Sequence, residues 1–213
     1  MEERGKEMRA KRHLVYTSVF FFLVFLLLLM LVLKNGYCFS DKAVNQGIAG
    51  IRTPFLTALM VFVSAMSDWK VLCVLSLILV LSYIYKRNKE KTIFIVLAML
   101  GGVLLRFGIS NIIQRARPEN VIVDVSGYSF PSGHATMSAI FFIMLFFLFK
   151  HRVGSICKRN WLILASVLAF LLVGFSRIYL SAHWLSDVLA GFCLGLFWVI
   201  FCYLIVERVF KKN

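Results

Sequence analysis

The chain has 213 residues, of which 61% are hydrophobic, and it carries a formal net charge of +14 at pH 7. This composition is too apolar for a soluble domain of this length and indicates an integral membrane protein. The basic residues cluster beside apolar segments, which argues against nucleic-acid binding and favours contact with anionic lipid headgroups. The five cysteines have neither CxxC nor metal-ligand spacing, so we expect no disulfides.

Six apolar segments predict membrane-spanning helices. In chain order they are 14–33, 69–85, 92–109, 135–149, 161–177 and 184–206. The first is predicted to be an uncleaved anchor, because no small-residue cleavage site follows it. A further stretch at 54–66 is too short to span a bilayer and is predicted to be an interfacial or re-entrant helix. The sequence therefore predicts an all-α fold, a six-helix transmembrane bundle with a short extra extracytoplasmic or interfacial helix, as one domain over 1–213.

The distribution of Lys and Arg predicts the orientation of this bundle. With six spans, the segments on one side are 1–13, 86–91, 150–160 and 207–213, and they hold 16 of the 24 basic residues. We therefore expect both termini to be cytoplasmic, in the cell membrane. Three polar clusters, described next, then fall together on the extracytoplasmic side.

The first cluster joins His183 and Asp187 at the start of the last span. If the helix begins near Ser181, these residues are four apart and share one face. A carboxylate that accepts the proton of one ring nitrogen leaves the other nitrogen free, which would make His183 an oriented nucleophile. A buried pair that only joins two helices is the alternative. Further along the same span, Gly191 and Gly195 have the spacing of close helix packing.

The second cluster, Pro131-Ser132-Gly133-His134, comes just before the fourth span. Ser132 is suited to cap a helix and Gly133 permits close backbone approach, so the free amides of the helix N-terminus would face an anion such as phosphate. His134 is suited to protonate a leaving oxygen and then to activate water. For this tetrapeptide alone, an ordinary capped helix start remains an alternative.

The third group consists of Arg117 and Arg177, whose planar guanidinium groups match phosphate oxygens. Each arginine alone has a simpler interpretation as a headgroup contact. A metal site would need His134, His183 and Asp187 as ligands. Two arginines directed at the same point would repel a cation, so we expect neither a metal nor another cofactor. Three acidic residues are predicted to face outside without a role: Asp68, Glu119 and Asp124.

Together these clusters resemble the type 2 phosphatidic acid phosphatase superfamily, which also includes vanadium haloperoxidases and glucose-6-phosphatase. Its signature is K-x6-R-P, then P-S-G-H, then S-R-x5-H-x3-D. The second part matches at 131–134, and the third matches completely from Ser176 to Asp187. The resemblance implies a metal-independent lipid phosphatase of the integral-membrane branch. It implies His183 as the nucleophile, Asp187 as its orienter and His134 as the acid and base. The implied phosphate ligands are Arg117, Arg177, Ser132 and the amide of Gly133.

The first part of the signature departs from the family at one position. Ser110 stands where the family has lysine, seven residues before Arg117. Arg106 lies one helical turn earlier on the same face, and Arg115 is the other candidate, so we expect one of them to replace the lysine.

The resemblance predicts hydrolysis of a lipid phosphate or pyrophosphate through a phosphohistidine. The family's small bacterial members act on undecaprenyl pyrophosphate or phosphatidylglycerol phosphate, and these are the favoured substrates. The alternatives are a phosphatidate, lysophosphatidate or lipid A phosphatase, a lipid phosphotransferase, and a protein that binds lipid phosphates without turnover. The expected partners are the lipid substrate and the bilayer, with neither nucleic acid nor an obligate protein partner.

Overall fold

The computed structural model describes residues 2–150 and 152–210, and these residues form eight helices and no strand. The helices are α1 (Glu2–Asn35), α2 (Phe39–Ala49), α3 (Pro54–Met66), α4 (Trp69–Tyr85), α5 (Lys89–Ile113), α6 (Gly133–Phe149), α7 (Ile156–Tyr179) and α8 (Leu185–Phe210). The all-α prediction is confirmed. Lys211 and Lys212, which belong to the last predicted cytoplasmic segment, lie outside the described residues.

Four helices are long and apolar enough to cross a bilayer by themselves: α1 from Lys11 onward, α5, α7 and α8. Helices α3 and α4 pass the same test together, as a pair bent by 46° at the break between them. Helix α6 is shorter, with 17 residues, and it packs against α4, α5, α7 and α8. With the bent pair counted as one span, the described residues contain five spans by length and composition, one fewer than the six predicted, because α6 is a shorter apolar helix and α4 passes only together with α3. The stretch 54–66 is the separate short helix α3.

The apolar pattern of the sequence does not predict helix α2. This helix has 11 residues, of which five are polar or charged, and it has no long apolar run. Its first turn is closed by Asp41, which accepts a hydrogen bond from the backbone N–H of Cys38 at 2.9 Å. Asp41 is fully buried against α8, so polar contacts attach this helix to the bundle together with the apolar packing of Val44 and Ile48.

Helices α6 and α8 pack with their backbones in close contact. A Cβ atom added at Gly191 would lie 2.8 Å from the carbonyl oxygen of Ser132, and one at Gly195 would lie 2.6 Å from that of Thr136. Only glycine leaves room for this approach, which confirms the predicted role of the two glycines. The N-terminus of α6 is thereby held beside the first turn of α8, where the backbone N–H of Ser132 donates to the carbonyl of Asp187 at 3.0 Å.

The α5–α6 loop and the α7–α8 turn meet at one end of the bundle. The indole N–H of Trp184 donates to the carbonyl of Ala116 at 3.0 Å, and the backbone N–H of Ile122 donates to the carbonyl of Leu180 at 3.3 Å. These contacts bring the three motif segments, far apart in the chain, to the same place.

Candidate active site

A cavity of about 290 Å³ opens where the three motif segments meet. Its walls come from α4, α5, the α5–α6 loop, α6, α7 and the α7–α8 turn. The basic side chains and histidines that line it are Arg106, Arg117, His134, Arg177 and His183. Three guanidinium groups around one cavity make it attractive to an anion. Within 2–150 and 152–210, no three His, Cys, Asp or Glu side chains are grouped as metal ligands.

His183 lies in the turn between α7 and α8, with only 2% of its surface exposed. Its Nδ1 is 2.8 Å from the backbone carbonyl oxygen of Ser129. Because a carbonyl oxygen only accepts hydrogen bonds, Nδ1 carries the proton and the lone pair is on Nε2. Nε2 is 3.3 Å from Nη1 of Arg117, which also lines the cavity. Burial lowers the pKa of His183 to about 4, against the opposing effect of Asp187, so the ring is neutral at pH 7.

Asp187 lies beside His183 but not in the direct hydrogen bond that the sequence predicts. Its Oδ2 is 3.8 Å from Nδ1 of His183. The reason is that α8 begins at Leu185, not near Ser181, so His183 precedes the helix and the two residues do not share a helical face. Asp187 instead accepts from the hydroxyl of Ser129 and from the backbone N–H of Trp184. It therefore affects His183 through Ser129 and through its own negative charge.

Arg115 lies behind Asp187 rather than in the cavity. Its Nη1 is 2.5 Å from Oδ1 of Asp187, and its Nη2 is 2.7 Å from Oδ2 of Asp41. Nε donates to the carbonyl of Gly36, and Nη1 also donates to Ser186. With these donors bound to protein groups, Arg115 holds the two buried carboxylates together. The sequence does not identify Asp41 as a residue of the site, because a single carboxylate outside any motif is not distinctive.

Arg106, on α5, lies against the backbone of Gly133. A Cβ atom added at that glycine would be 3.0 Å from Nε of Arg106. This Nε is buried and has no hydrogen-bond partner among the described residues. A buried charged donor without an acceptor is costly, and the adjoining cavity can supply an anion as that acceptor. Of the two arginines considered for the missing lysine, Arg106 is the one that lines the cavity, as does Ser110 itself.

Arg177 and Arg117 are held in place by different neighbours. Nη1 of Arg177 donates to the hydroxyl of Ser64 on α3, and its Nε has no partner in the described part of the chain. Nη1 of Arg117 donates to the carbonyl of Ala182 at 2.6 Å, and its other nitrogens donate to loop carbonyls. Arg117 thus ties the α5–α6 loop to the turn that carries His183.

His134 lies in the first turn of α6 and faces the cavity from the side of α3 and α4. Ser132 caps this helix by accepting from the backbone N–H of Ala135 at 3.5 Å. Nε2 of His134 is 3.8 Å from Oδ2 of Asp68, in the break between α3 and α4. Asp68 and Asp124, which the sequence leaves without a role, both line the cavity, whereas Glu119 does not. Asp68 reaches it because it lies in the bend between the two helices.

A membrane-spanning bundle with an anion pocket, and with two histidines inside that pocket, defines a membrane protein equipped for phosphate chemistry. The PAP2 superfamily matches residues 91–211, more than half of the chain. The chain belongs to this superfamily and is an integral membrane lipid phosphatase, as the sequence motifs predict.

Individual relatives and a solved structure agree with this assignment. Phosphatidylglycerophosphatase B of Bacillus subtilis is 33% identical over 185 residues, which cover 85% of this chain and 91% of the relative. Undecaprenyl-diphosphatase of Sulfolobus acidocaldarius is 26% identical over 159 residues, or 71% of each chain. The crystal structure of a transmembrane PAP2-type phosphatidylglycerolphosphate phosphatase from Bacillus subtilis matches with a TM-score of 0.80 at 29% identity. That match covers 92% of this chain and 97% of the other.

Proposed function

We propose that this protein hydrolyses the phosphate ester or pyrophosphate of a membrane lipid through a phosphohistidine formed on His183. The observation that carries the proposal is the tautomer of this residue. Its Nδ1 proton is bound by the carbonyl of Ser129, so the Nε2 lone pair is directed toward Arg117, in a cavity that three arginines and a second histidine line.

The phosphate of the substrate binds among Arg106, Arg117 and Arg177. Arg117 contributes its positive charge, because its N–H groups donate to backbone carbonyls or contact Nε2 of His183. The backbone amides at the start of α6, beside Ser132 and Gly133, add the partial positive charge of a helix N-terminus. These donors also stabilise the negative charge on the phosphoryl oxygens during transfer. Arg106 takes the place of the family's lysine, which is supported by its position in the cavity and its unpartnered Nε.

In the first step, Nε2 of His183 attacks phosphorus, and the bond from phosphorus to the lipid oxygen breaks. His134 gives its proton to that oxygen, so the lipid leaves as an alcohol, or as a lipid phosphate when the substrate is a pyrophosphate. The ring of His183 becomes positively charged while Nδ1 keeps its proton. The adjacent negative charge of Asp187 stabilises this cation.

In the second step, a water molecule attacks the phosphorus of the phosphohistidine. His134, now neutral, accepts a proton from this water, and the bond between phosphorus and Nε2 breaks. Inorganic phosphate leaves, Nε2 regains its lone pair and His134 regains its proton. One water is consumed for each phosphate released, and no other reactant is needed.

The favoured substrates are phosphatidylglycerol phosphate and undecaprenyl pyrophosphate. Support comes from the two relatives, which are named as a phosphatidylglycerophosphatase and an undecaprenyl-diphosphatase. We also propose that the cavity opens on the extracytoplasmic face of the cell membrane and that the termini are cytoplasmic. This orientation is supported by the concentration of Lys and Arg in the segments at the other end of the bundle.

The test is phosphate release by the detergent-purified protein, with a trap for the intermediate. A panel of lipid phosphates and pyrophosphates is assayed in excess EDTA, and 32P-labelled substrate is quenched in alkali, in which phosphohistidine survives. Wild-type protein should release phosphate and retain label, and His183→Ala should do neither. His13→Ala, at an exposed histidine on α1, is the matched control and should behave as wild type. Release that persists in His183→Ala would refute the mechanism, and no release from any lipid would favour a binding protein.

A further inference from the structure

Two polar side chains at or near the break between α3 and α4 contact the residues of the candidate site. Ser64, on the last turn of α3, accepts a hydrogen bond from Arg177. Asp68, just before α4, lines the cavity and is the partner of His134 at 3.8 Å. A second cavity of about 210 Å³ is bordered by Asp68, His134 and Arg177 as well. The short helix α3, to which the sequence assigns no role, thus lines the second cavity and contacts Arg177 of the candidate site.

The helix cap fixes the orientation of the Asp68 carboxylate. Asp68 is the N-cap of α4, and its Oδ1 accepts from the backbone N–H of Lys70 at 2.9 Å. The preceding residue, Ser67, closes the end of α3 by donating to the carbonyl of Val63 at 2.8 Å. One oxygen of Asp68 therefore holds the helix cap, and the other faces His134.

The charges around His134 show why a carboxylate is needed there. The charged and titratable groups that face it are Arg106 on α5, Arg117 on the α5–α6 loop, Arg177 on α7, His183 in the α7–α8 turn and Asp68 just before α4. Asp124, exposed on the α5–α6 loop, also lines the cavity. The arginines that attract phosphate also repel a protonated imidazole, yet the first chemical step requires His134 to carry a proton.

We propose that Asp68 is a positioning residue for His134, whose carboxylate stabilises the protonated ring and orients it in the enzyme before substrate binds. The inference rests on the proposed function, in which His134 is the proton donor. Each of the two histidines then has a carboxylate 3.8 Å away, Asp187 for His183 and Asp68 for His134. Once a substrate is bound, its phosphate supplies negative charge of its own. Asp68 therefore matters most in the free enzyme.

The main test compares Asp68→Asn with wild type across pH. Asparagine keeps the helix cap, because its amide oxygen can still accept from Lys70, but it removes the charge. We expect the high-pH limb of kcat/KM to move to lower pH by about one unit, because the protonated ring loses its counter-charge. At pH 7.5, kcat/KM should fall about tenfold, and kcat should fall less. Asp68→Glu should restore most of the rate and the profile.

Leaving-group dependence provides a second readout. An aryl phosphate with p-nitrophenolate as its leaving group needs little protonation, so Asp68→Asn should affect its hydrolysis much less than that of the lipid substrate. Glu119→Gln, at an exposed loop carboxylate outside the cavity, is the matched control and should match wild type in both assays.

The outcomes separate this inference from the proposed function. A uniform loss of rate in Asp68→Asn, with an unchanged pH profile and equal effects on both substrates, would mean that Asp68 only supports the fold. Wild-type behaviour in Asp68→Asn would also overturn the inference. Neither result would contradict the phosphohistidine mechanism, because the trapping of 32P label on His183 tests that mechanism separately. If Asp68→Asn fails to fold, Asp68→Ser carries the test, because serine also caps a helix but has no charge, and unchanged readouts in that variant would contradict the inference.

Discussion

Replacing Arg106 by alanine tests whether this arginine takes the place of the family's lysine. Its guanidinium group lines the cavity against Gly133, and its Nε has no hydrogen-bond partner among the described residues. If a phosphate oxygen is the missing acceptor, Arg106→Ala removes a charge-assisted hydrogen bond to the substrate and to the transition state.

The size of the effect follows from the strength of such a bond. A hydrogen bond to a charged group contributes about 1.5–3 kcal/mol. Since about 1.4 kcal/mol changes a rate tenfold, kcat/KM should fall about 10- to 150-fold. The free energy of unfolding should stay the same or rise, because the variant no longer buries an unpartnered donor. Lower activity without lower stability is the expected signature.

The assay is steady-state phosphate release from a lipid substrate, together with the Tm of the detergent-solubilised protein. Arg159→Ala, at an exposed position on α7, is the matched control. A double variant that combines Arg106→Ala with Ser110→Lys restores the family's lysine, and it should recover much of the lost activity. Full activity in Arg106→Ala, with an unchanged Tm, would refute the assignment of this arginine as a phosphate ligand.

Three further predictions concern stability, packing and pH. Arg115→Ala should cost about 3–5 kcal/mol of stability, because it leaves two buried carboxylates without their partner, and a Tm close to that of wild type would contradict this. Gly191→Ala should lower the Tm by the equivalent of about 1–3 kcal/mol, because its Cβ would meet a backbone oxygen at 2.8 Å; Gly108→Ala, with open space around it, is the control. Burial lowers the pKa of His183 from 6.5 to about 4. As the pH is lowered from 6.5 to 4, the unfolded chain therefore takes up a proton that the folded protein does not, and the free energy of unfolding should fall by about 3 kcal/mol. His183→Gln should flatten that part of the unfolding profile, and an equally steep profile in the variant would exclude His183 as the cause.

The sequence predicts the long helices and the meeting of the motifs, because apolar length and the order of spans constrain both. It does not predict α2, which has no long apolar run and whose attachment to α8 includes the polar contacts of Asp41. Nor does it predict how Asp187 relates to His183, since α8 begins about four residues later than expected and this changes which groups face each other. The choice between Arg106 and Arg115 also required the structure. Both are long cationic side chains near the same motif, and only tertiary contacts separate them.

The hydrogen bond from Nδ1 of His183 ends on a main-chain oxygen, and this affects how the site tolerates mutation. Every amino acid has a carbonyl at that point, so a substitution at Ser129 changes the hydroxyl that contacts Asp187 but leaves the acceptor for His183 in place. A point mutation at Ser129 therefore does not change which ring nitrogen of His183 carries the proton. The position of this carbonyl depends instead on the backbone path of the α5–α6 loop. The backbone N–H of Ser129 fixes that path by donating to the carbonyl of Arg115 at 2.8 Å. A comparison of side chains between relatives would therefore miss this part of the site, whereas a comparison of backbones would reveal it.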